Sequence, residues 1–287
     1  MPIYEIVPNV SEGRDATLVR DAVSAIEATG ARVLHTTSDT VHHRSVLTVA
    51  GSDLAVLDAA VSLAGVTTAR IDLREHRGVH PRIGALDVLP FVPLKGASME
   101  RAVELAREAA RRIWEAYGVP SFFYGEASTA PERTLLANVR RGQFEGLIAR
   151  FDDPQWRPDT GNIARHERAG AIAIGARPVL IAYNVELATG DVRVAAAIAR
   201  TLREGTGGFR TLRALGLART ESIVQVSLNV TAFEATPLYR IVELIRTLAA
   251  RHGVAVLRGE LIGCLPLRAV TASAHYYLGL SNEDQLS

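Results

Sequence analysis

The sequence has few of the residues that would point to redox, metal-cluster or membrane chemistry. It contains one cysteine, Cys264, in 287 residues, so it can form neither an internal disulfide nor a Cys-x-x-Cys motif. Lys95 is the single lysine among 32 basic residues, which leaves one candidate for lysine-based catalysis. No apolar run approaches the length of about 18 residues that a membrane-spanning helix needs. The first residues also lack the basic and then apolar pattern of a secretory signal. These absences lead us to expect a cytoplasmic protein.

The charge balance excludes further classes of function. The chain has 32 basic and 31 acidic residues and a formal net charge of +1. Such a chain has no long-range field to hold DNA, RNA or an anionic membrane. Its hydrophobic fraction of 48% and charged fraction of 22% are typical of soluble globular domains and unlike disordered or collagen-like chains. A bias in base composition explains most of the preference for arginine over lysine. Because guanidinium groups bind carboxylates and phosphates well, some of these arginines are candidates to hold an anionic ligand.

Hydrophobic periodicity predicts an α/β (α+β) fold of two similar halves. In the first half it predicts strands at 3–7, 31–37, 45–50 and 70–73 and helices at 14–28 and 53–64. This order is the β-α-β-β-α-β of ferredoxin-like domains. An extra β-α-β follows, with a strand at 86–92, a helix at 99–117 and a strand at 121–124.

The same element order begins again in the second half. Strands are predicted at 179–185, 211–217, 222–230 and 254–260, and helices at 192–203 and 238–251. The polar segment 143–170 is predicted to be a long connection. We therefore divide the chain into subdomains 1–177 and 178–287 and expect a ligand cleft between them, where small-molecule sites are common.

The segment 74–88 carries the strongest candidate for catalysis. It places His76, His80 and three arginines among two glycines and a proline, so an irregular backbone presents many polar groups. His80 is the natural general acid and base, because an imidazole with a pKa of about 6.5 both accepts and returns a proton near neutral pH. The alternative is a surface loop histidine or one that only bonds a backbone carbonyl, and spacing alone leaves the two open.

Three other features of the sequence are weaker candidates for a functional site. His42 and His43 together with His76 and His80 would make a metal site, as in a metal hydrolase, only if their loops converged. No Cys-x-x-Cys or His-Glu-x-x-His pattern supports one, and our prediction is that no metal binds. Residues 8–15, which include Asn9 and Glu12, follow a strand and precede a helix, so they form either an anion site or an ordinary capped turn. Arg44 beside the two histidines is a candidate carboxylate clamp.

Several of these segments together resemble one known family. Residues 78–93 read Gly-Val-His-Pro-Arg-Ile-Gly-Ala-Leu-Asp-Val-Leu-Pro-Phe-Val-Pro, which is similar to the signature of glutamate formiminotransferases. Residues 7–13, 124–127 and 175–185 resemble other segments of that family, and the likeness covers nearly the whole chain. In vertebrates the domain is fused to a cyclodeaminase, whereas this chain resembles the stand-alone form.

The resemblance implies transfer of the formimino group from N-formimino-L-glutamate to tetrahydrofolate, a co-substrate, in histidine degradation. It implies that His80 is the catalytic histidine and that the enzyme is a homodimer with two α/β subdomains. By charge, Arg44, Arg77 and Arg82 are the candidates for binding substrate carboxylates, with Asn9 and Glu12 from the opening motif. The family's folate-binding loop corresponds to Gly161, Asn162, Ile163, Ala164, Arg165, His166, Glu167, Arg168, Ala169 and Gly170.

Two positions depart from the family pattern. The loop is preceded by Asp159-Thr160 and then reads Gly-Asn, where the family usually has Asp-Phe-Gly-Pro. His43 occupies the position of the asparagine in the usual His-Asn-Arg-Ser. Two alternatives therefore remain: a related one-carbon transferase with another donor or acceptor, and a non-catalytic protein that binds a folate-like ligand.

Overall fold

The chain is described by a computed structural model that covers residues 1–78, 80–162 and 164–280. Its contacts divide it into two compact units, Met1–Pro178 and Val179–Ser287. Each unit has its own hydrophobic core. Within the described ranges, no helix has both the length and the apolar character needed to cross a membrane.

The first unit contains seven strands and five α-helices among its described residues. The strands are β1 (Tyr4–Ile6), β2 (Asn9–Val10), β3 (Arg32–Asp39), β4 (Arg44–Gly51), β5 (Leu86–Pro93), β6 (Ser121–Gly125) and β7 (Ile172–Ala176). The helices are α1 (Ala16–Glu27), α2 (Asp53–Arg70), α3 (Met99–Tyr117), α4 (Leu136–Val139) and α5 (Gln143–Phe151), with short 3-10 turns at Pro131–Arg133 and Pro154–Trp156.

Local sequence explains where these helices begin and end. Asp15 caps α1, and its carboxylate accepts hydrogen bonds from the backbone N–H groups of Thr17 and Leu18 at 2.8 and 3.0 Å, which would otherwise lack partners. Ser98 caps α3 in the same way, and Gly118 ends it in the left-handed conformation that glycine adopts without steric cost. These helix boundaries are therefore properties of the local sequence.

The strands of the first unit form a single sheet in which β5 is central. The short strands β1 and β2 both lie between β4 and β5, and β3 continues the sheet beyond β4. On the other side of β5, β7 and then β6 pair in parallel. Seven of the eight residues of β5 are buried, as expected for a strand covered on both faces. The loop after β2 and the loops before β4 and β7 are thereby held close to its amino-terminal end.

Two predictions for the first unit are wrong. The predicted strand at 70–73 is absent because α2 continues to Arg70. Thr67, a poor helix former, is buried on the core face of α2, where its hydroxyl donates to the carbonyls of Leu63 and Ala64 at 3.0 and 3.1 Å. β5 takes the place of the missing strand in the β-α-β-β-α-β order.

The predicted connection at 143–170 is also more ordered than expected. It contains α5, which buries Phe144, Leu147 and Phe151 at helical spacing. The strand β7 directly after it was not predicted, because its Ile-Ala-Ile-Gly-Ala sequence shows no alternation of polar and apolar residues. It is a fully buried parallel strand, the kind that periodicity does not identify.

The second unit has the predicted order of elements. It contains β8 (Ile181–Leu187), α6 (Val192–Leu202), β9 (Leu212–Ala218), β10 (Val224–Val230), α7 (Leu238–Arg251) and β11 (Val256–Ile262), with a 3-10 turn at Glu204–Thr206 and an unpredicted last helix, α8 (Leu267–Leu278). Its strands form an antiparallel sheet in the order β11-β8-β10-β9. The predicted α/β class is thus confirmed. The same strand order, fourth-first-third-second, occurs in the first unit when β1 and β2 are counted together.

Candidate active site

A cleft in the first unit brings together segments that are distant in sequence. It has a volume of about 1000 Å³, and most of the residues that line it come from the segment after α2, the start of α5 and the loop before β7, with Arg14 before α1 and Val41 between β3 and β4. Five of them are arginines: Arg14, Arg74, Arg77, Arg82 and Arg165. A volume of this size suits a small organic ligand, and the arginines favour one that carries carboxylates or phosphates.

A much smaller cavity adjoins the cleft, because His76 and Arg82 line both. His80 lines this cavity together with Ser11, His42, His43, Arg44 and Asp87. The sequence prediction that placed His80 and Arg44 at one site therefore agrees with their positions.

The hydrogen bonds of His80 indicate which ring nitrogen can act as a base. Its Nδ1 lies 2.8 Å from the carbonyl oxygen of Pro81, which can only accept, so the Nδ1 hydrogen is directed there. The proline fixes this carbonyl beside the ring. Nε2 is then the nitrogen that carries the lone pair, and it is in contact with Nη1 of Arg44.

Positive charge surrounds His80. Burial, and then the nearby guanidinium groups of Arg44 and Arg140, lower the pKa of the His80 imidazole to about 2. Burial and the proximity of Arg140 also lower the pKa of Arg44 to about 9. Without a bound anion, His80 is therefore a neutral imidazole at physiological pH.

This charge environment predicts a pH-dependent stability. The unfolded chain protonates His80 below its ordinary pKa of about 6.5, whereas the folded protein keeps it neutral down to about pH 2. The unfolded state then binds one more proton, so the free energy of unfolding falls with decreasing pH by up to about 1.4 kcal/mol per pH unit. We expect His80→Gln to flatten the pH dependence by about this slope between about pH 6 and 4.5, as measured by urea unfolding.

His35→Gln is the matched control for this prediction. His35 is an exposed residue of β3, so its replacement should leave the slope of the wild-type protein unchanged. Equal slopes for His80→Gln and the wild type would contradict the prediction.

A second network, of Glu12, His43 and His76, connects the opening motif to the histidine segment. One carboxylate oxygen of Glu12 accepts from the backbone N–H groups of Arg14 and Asp15 and lies 3.0 Å from Nε2 of His43. The other nitrogen of His43 lies 3.1 Å from the carbonyl of Arg77. Both ring nitrogens of His43 therefore face oxygen acceptors.

His43 also stacks on His76, with ring centroids 4.3 Å apart. The close approach requires a glycine at position 78, where a Cβ atom would lie 2.6 Å from the carbonyl oxygen of His42 and 2.8 Å from the Cβ of His43. Gly78 thus lets the two histidine-bearing segments meet.

The guanidinium group of Arg82 is already paired within the protein. Its Nη1 and Nη2 donate to the two carboxylate oxygens of Glu145 at 3.0 and 2.8 Å, and its Nε donates to Nδ1 of His76 at 3.1 Å. Arg82 is buried while Glu145 is mostly exposed at the cleft. Arg82 therefore holds α5 and His76 in place, and a substrate carboxylate would have to displace Glu145 to reach it.

Three other predicted substrate-binding residues occupy different settings. Asn9 is buried in β2, and its amide donates to the carbonyl of Val7 at 2.8 Å. Glu12 belongs to the network with His43. Arg77 is exposed at the cleft, and Nη1 donates to the carbonyls of Arg74 and His76. Of the three, the Arg77 side chain is the one that lines the cleft, and direct substrate binding by any of them stays a prediction.

The predicted folate loop borders the same cleft. Arg165 lines it, donates to the carbonyl of Phe144 at 2.9 Å and lies over the Phe144 ring at 3.8 Å. His166 and Gly170 close the loop through reciprocal backbone hydrogen bonds, and Glu167 pairs with Arg74 at 2.8 Å. Ile163 lies outside the described residues.

The other members of that loop are arranged as follows. Gly161, Asn162 and Ala164 are exposed, Arg168 pairs with Asp72 at 3.3 Å, and Ala169 is buried. Gly170 has a φ of +72°, and a Cβ atom there would lie 2.1 Å from the carbonyl oxygen of Ile83. Asp159, just before the loop, accepts from Arg133 and from the backbone of Phe123, both at 2.8 Å. Its role is to hold the base of the loop.

The histidines give no support to a metal centre. In the part of the chain that the structure describes, no three histidine, cysteine or acidic side chains are arranged to hold a metal ion. Instead, His43 and His76 use their ring nitrogens in the hydrogen bonds given above, and Nδ1 of His42 lies 3.0 Å from Asp39.

Three residues of the site are not among those predicted from the sequence. Asp87 lies inside the signature run, where it looked like part of a strand. Glu145 lies in the segment 143–170 that was interpreted as a long connection, Arg140 lies just before it, and nothing in their spacing relates them to His80. A carboxylate buried between apolar strand residues, such as Asp87, was the one signal available, since such groups are nearly always paired.

Comparisons with known proteins place these features in a family. Residues 3–177 match the model of the formiminotransferase domain, N-terminal subdomain, and residues 182–286 match that of the formiminotransferase domain. The glutamate formimidoyltransferase of Streptococcus pyogenes is 39% identical over 98% of this chain and 95% of its own. That of Thermoplasma acidophilum is 40% identical over 99% and 95%. The chicken formimidoyltransferase-cyclodeaminase is 36% identical over 96% of this chain but 52% of its own length.

Proposed function

Since this chain belongs to the formiminotransferase family, we propose that it transfers the formimino group of N-formimino-L-glutamate to tetrahydrofolate. The observation that supports this most directly is that two relatives at about 40% identity over nearly their full length are named glutamate formimidoyltransferases. The chain is accordingly a transferase that uses a folate co-substrate. We assign 1–177 and 178–287 as its two formiminotransferase subdomains and propose a cytoplasmic homodimer. The ligand site expected between the subdomains stays a prediction.

The arrangement around His80 supports a role in proton transfer. N5 of tetrahydrofolate forms a bond to the amidine carbon of the donor, and the bond from that carbon to the glutamate nitrogen breaks. N5 loses one proton, and the departing glutamate nitrogen gains one. Nε2 of His80 carries the lone pair that takes the first proton and returns it to the leaving group once the Arg44 Nη1 that contacts it turns away, while Nδ1 keeps its hydrogen on Pro81. A single residue can thereby move the proton from N5 to the glutamate nitrogen.

The arginines around the cleft support binding of both substrates. N-formimino-glutamate and the glutamate tail of folate each carry carboxylates, and charge-assisted hydrogen bonds to guanidinium groups are among the strongest in proteins. Arg77 and Arg165 both line the cleft, and Arg44 lies beside His80. We propose Arg44 and Arg77 as carboxylate ligands and the 161–170 loop as the folate-binding segment.

The function is tested by incubating the purified protein with N-formimino-L-glutamate and tetrahydrofolate. Mass spectrometry should detect 5-formimino-tetrahydrofolate and an equal amount of free glutamate. A parallel reaction with N-formyl-L-glutamate tests the alternative of a related one-carbon transferase. Absence of product with either donor, from protein that binds a reduced folate, would instead identify a non-catalytic folate-binding protein.

Arg165 provides a separate test of the folate loop. We expect Arg165→Gln to weaken binding of 5-formyl-tetrahydrofolate by about 10- to 100-fold, because a hydrogen bond to a charged group contributes about 1.5–3 kcal/mol. Titration calorimetry measures this directly. The matched control is Arg157→Gln, an exposed arginine of the same segment outside the set that lines the cleft. Equal affinities for the two variants would remove Arg165 from the folate site.

A further inference from the structure

Two arginines next to His80 have buried hydrogen-bond donors without acceptors. The Nε atoms of Arg44 and Arg140 are both buried and have no partner among the described residues. Buried donors of this kind are costly and are normally satisfied. In an active site, an unpaired buried donor often forms its hydrogen bond only when a ligand binds. The best acceptor for a guanidinium N–H is an anionic oxygen.

The charges of this region are also unbalanced. Arg140 pairs with Asp87, which is buried. Among the residues described by the structure, no carboxylate lies within ion-pair distance of Arg44, and its Nη1 instead contacts Nε2 of His80. The guanidinium group of Arg44 thus faces an imidazole and has no counter-ion, so the region lacks one negative charge.

We propose that Arg44 and Arg140 form a carboxylate subsite beside His80, in which Asp87 positions Arg140 and a substrate carboxylate provides the missing negative charge. The subsite rests on the proposed function, whose donor carries a carboxylate next to the reacting nitrogen. Arg44, His80 and Asp87 line the small cavity beside the cleft, and Arg140 is linked to it through its ion pair with Asp87. Neither Arg140 nor Asp87 is implicated by the sequence pattern.

The chemistry of the donor explains why this carboxylate is the α-carboxylate. In N-formimino-L-glutamate the α-carboxylate and the formimino-bearing nitrogen are attached to the same carbon atom. A carboxylate held by Arg44 and Arg140 therefore brings the leaving nitrogen to His80. The same interaction redirects the Arg44 hydrogens from the imidazole to the carboxylate, which frees Nε2 to accept a proton. Binding of the substrate carboxylate thus makes His80 available as the base.

The groups that face His80 determine how much carboxylate binding changes the pKa of its imidazole. They are Arg44 from β4, Arg140 from the end of α4, His42 from the turn between β3 and β4, and the carbonyl of Pro81 from its own segment. The two arginines oppose protonation of His80, while the carbonyl favours it. Neutralising the arginines with a carboxylate should raise the pKa of His80 by about 1 to 3 pH units, the usual effect of an opposite charge nearby.

The test is an NMR titration of the wild-type protein labelled at histidine Cε1, with His80→Asn used to assign the His80 signal. L-Glutamate serves as a non-reacting probe, and isoglutamine, its α-amide, serves as the matched control without the α-carboxylate. We expect saturating glutamate to move the His80 titration upwards by about 1 to 3 pH units and isoglutamine to leave it in place. Failure of glutamate to bind, or binding that leaves the His80 titration unchanged, would overturn the subsite.

Arg140 variants separate binding from folding. Arg140→Lys retains the charge opposite Asp87 but cannot form a two-pronged contact, so it should fold and should bind glutamate about 10-fold more weakly. Arg141→Gln, an exposed neighbour, should bind glutamate as the wild type does. A merely structural Arg140 would instead lower the melting temperature of Arg140→Lys without changing its glutamate affinity or its His80 titration.

The two proposals fail in different ways. If glutamate shifts the His80 titration but no formimino transfer occurs, the subsite stands and the proposed function is wrong. If transfer proceeds normally while glutamate leaves His80 unaffected, the function stands and the subsite is wrong.

Discussion

Replacing His80 with alanine is expected to lower kcat for formimino transfer by about 10²- to 10⁴-fold, the range lost when a general acid–base group is removed. The expectation follows from the His80 ring, whose Nδ1 hydrogen is directed at the carbonyl of Pro81 and whose Nε2 carries the lone pair beside Arg44. Folate binding should persist, because the 161–170 loop is held by its own contacts and not by His80. Steady-state kinetics and titration with 5-formyl-tetrahydrofolate measure the two effects separately.

The control for this variant is His35→Ala, which removes an imidazole from an exposed position of β3. It should retain wild-type kcat and KM. A His80→Ala protein that folds normally and keeps full turnover would eliminate His80 as the proton-transfer group. A variant that loses only folate affinity would make His80 a binding residue instead.

Replacing Asp87 with asparagine is expected to reduce the free energy of unfolding by about 3–5 kcal/mol, the cost of removing one partner of a buried ion pair. Asp87 is 2% exposed. One of its carboxylate oxygens accepts from the backbone N–H of Ile83 at 2.7 Å, and the other accepts from Arg140. Asparagine can keep the first bond but leaves the guanidinium group of Arg140 buried without a counter-ion. Urea unfolding at neutral pH measures the loss.

Asp58→Asn is the matched control for Asp87→Asn. Asp58 pairs with Arg112 at 3.1 Å, but both side chains are well exposed, and surface pairs contribute about 0–1 kcal/mol. The double variant Asp87→Asn, Arg140→Gln should recover part of the stability, since it removes the unpaired charge as well. A loss below about 1 kcal/mol for Asp87→Asn would show that Arg140 finds another partner.

Several helices of this protein are encoded by their local sequence. α1, α3 and α7 were predicted within a few residues, because capping residues and apolar spacing are written into each segment. α2 extends beyond its predicted end because the packing of Thr67 against the core overrides its weak helix propensity. β7 was missed because pairing with β5 and β6, and not its own pattern, makes it a strand.

Some residues of the candidate site are likewise identified by the local sequence, and others only by the tertiary structure. The sequence by itself determined the α/β class, the order of elements in each half, and His80 within a segment whose glycines and proline exclude a helix. Those are consequences of neighbouring residues. Only the tertiary structure decided that Arg82 is paired with Glu145 and that Arg44 and Arg140 surround His80. Arg44 and Arg140 are far apart in the chain, and they meet because β4 begins and α4 ends beside the amino-terminal end of β5, where Asp87 lies, a relation that no local pattern encodes.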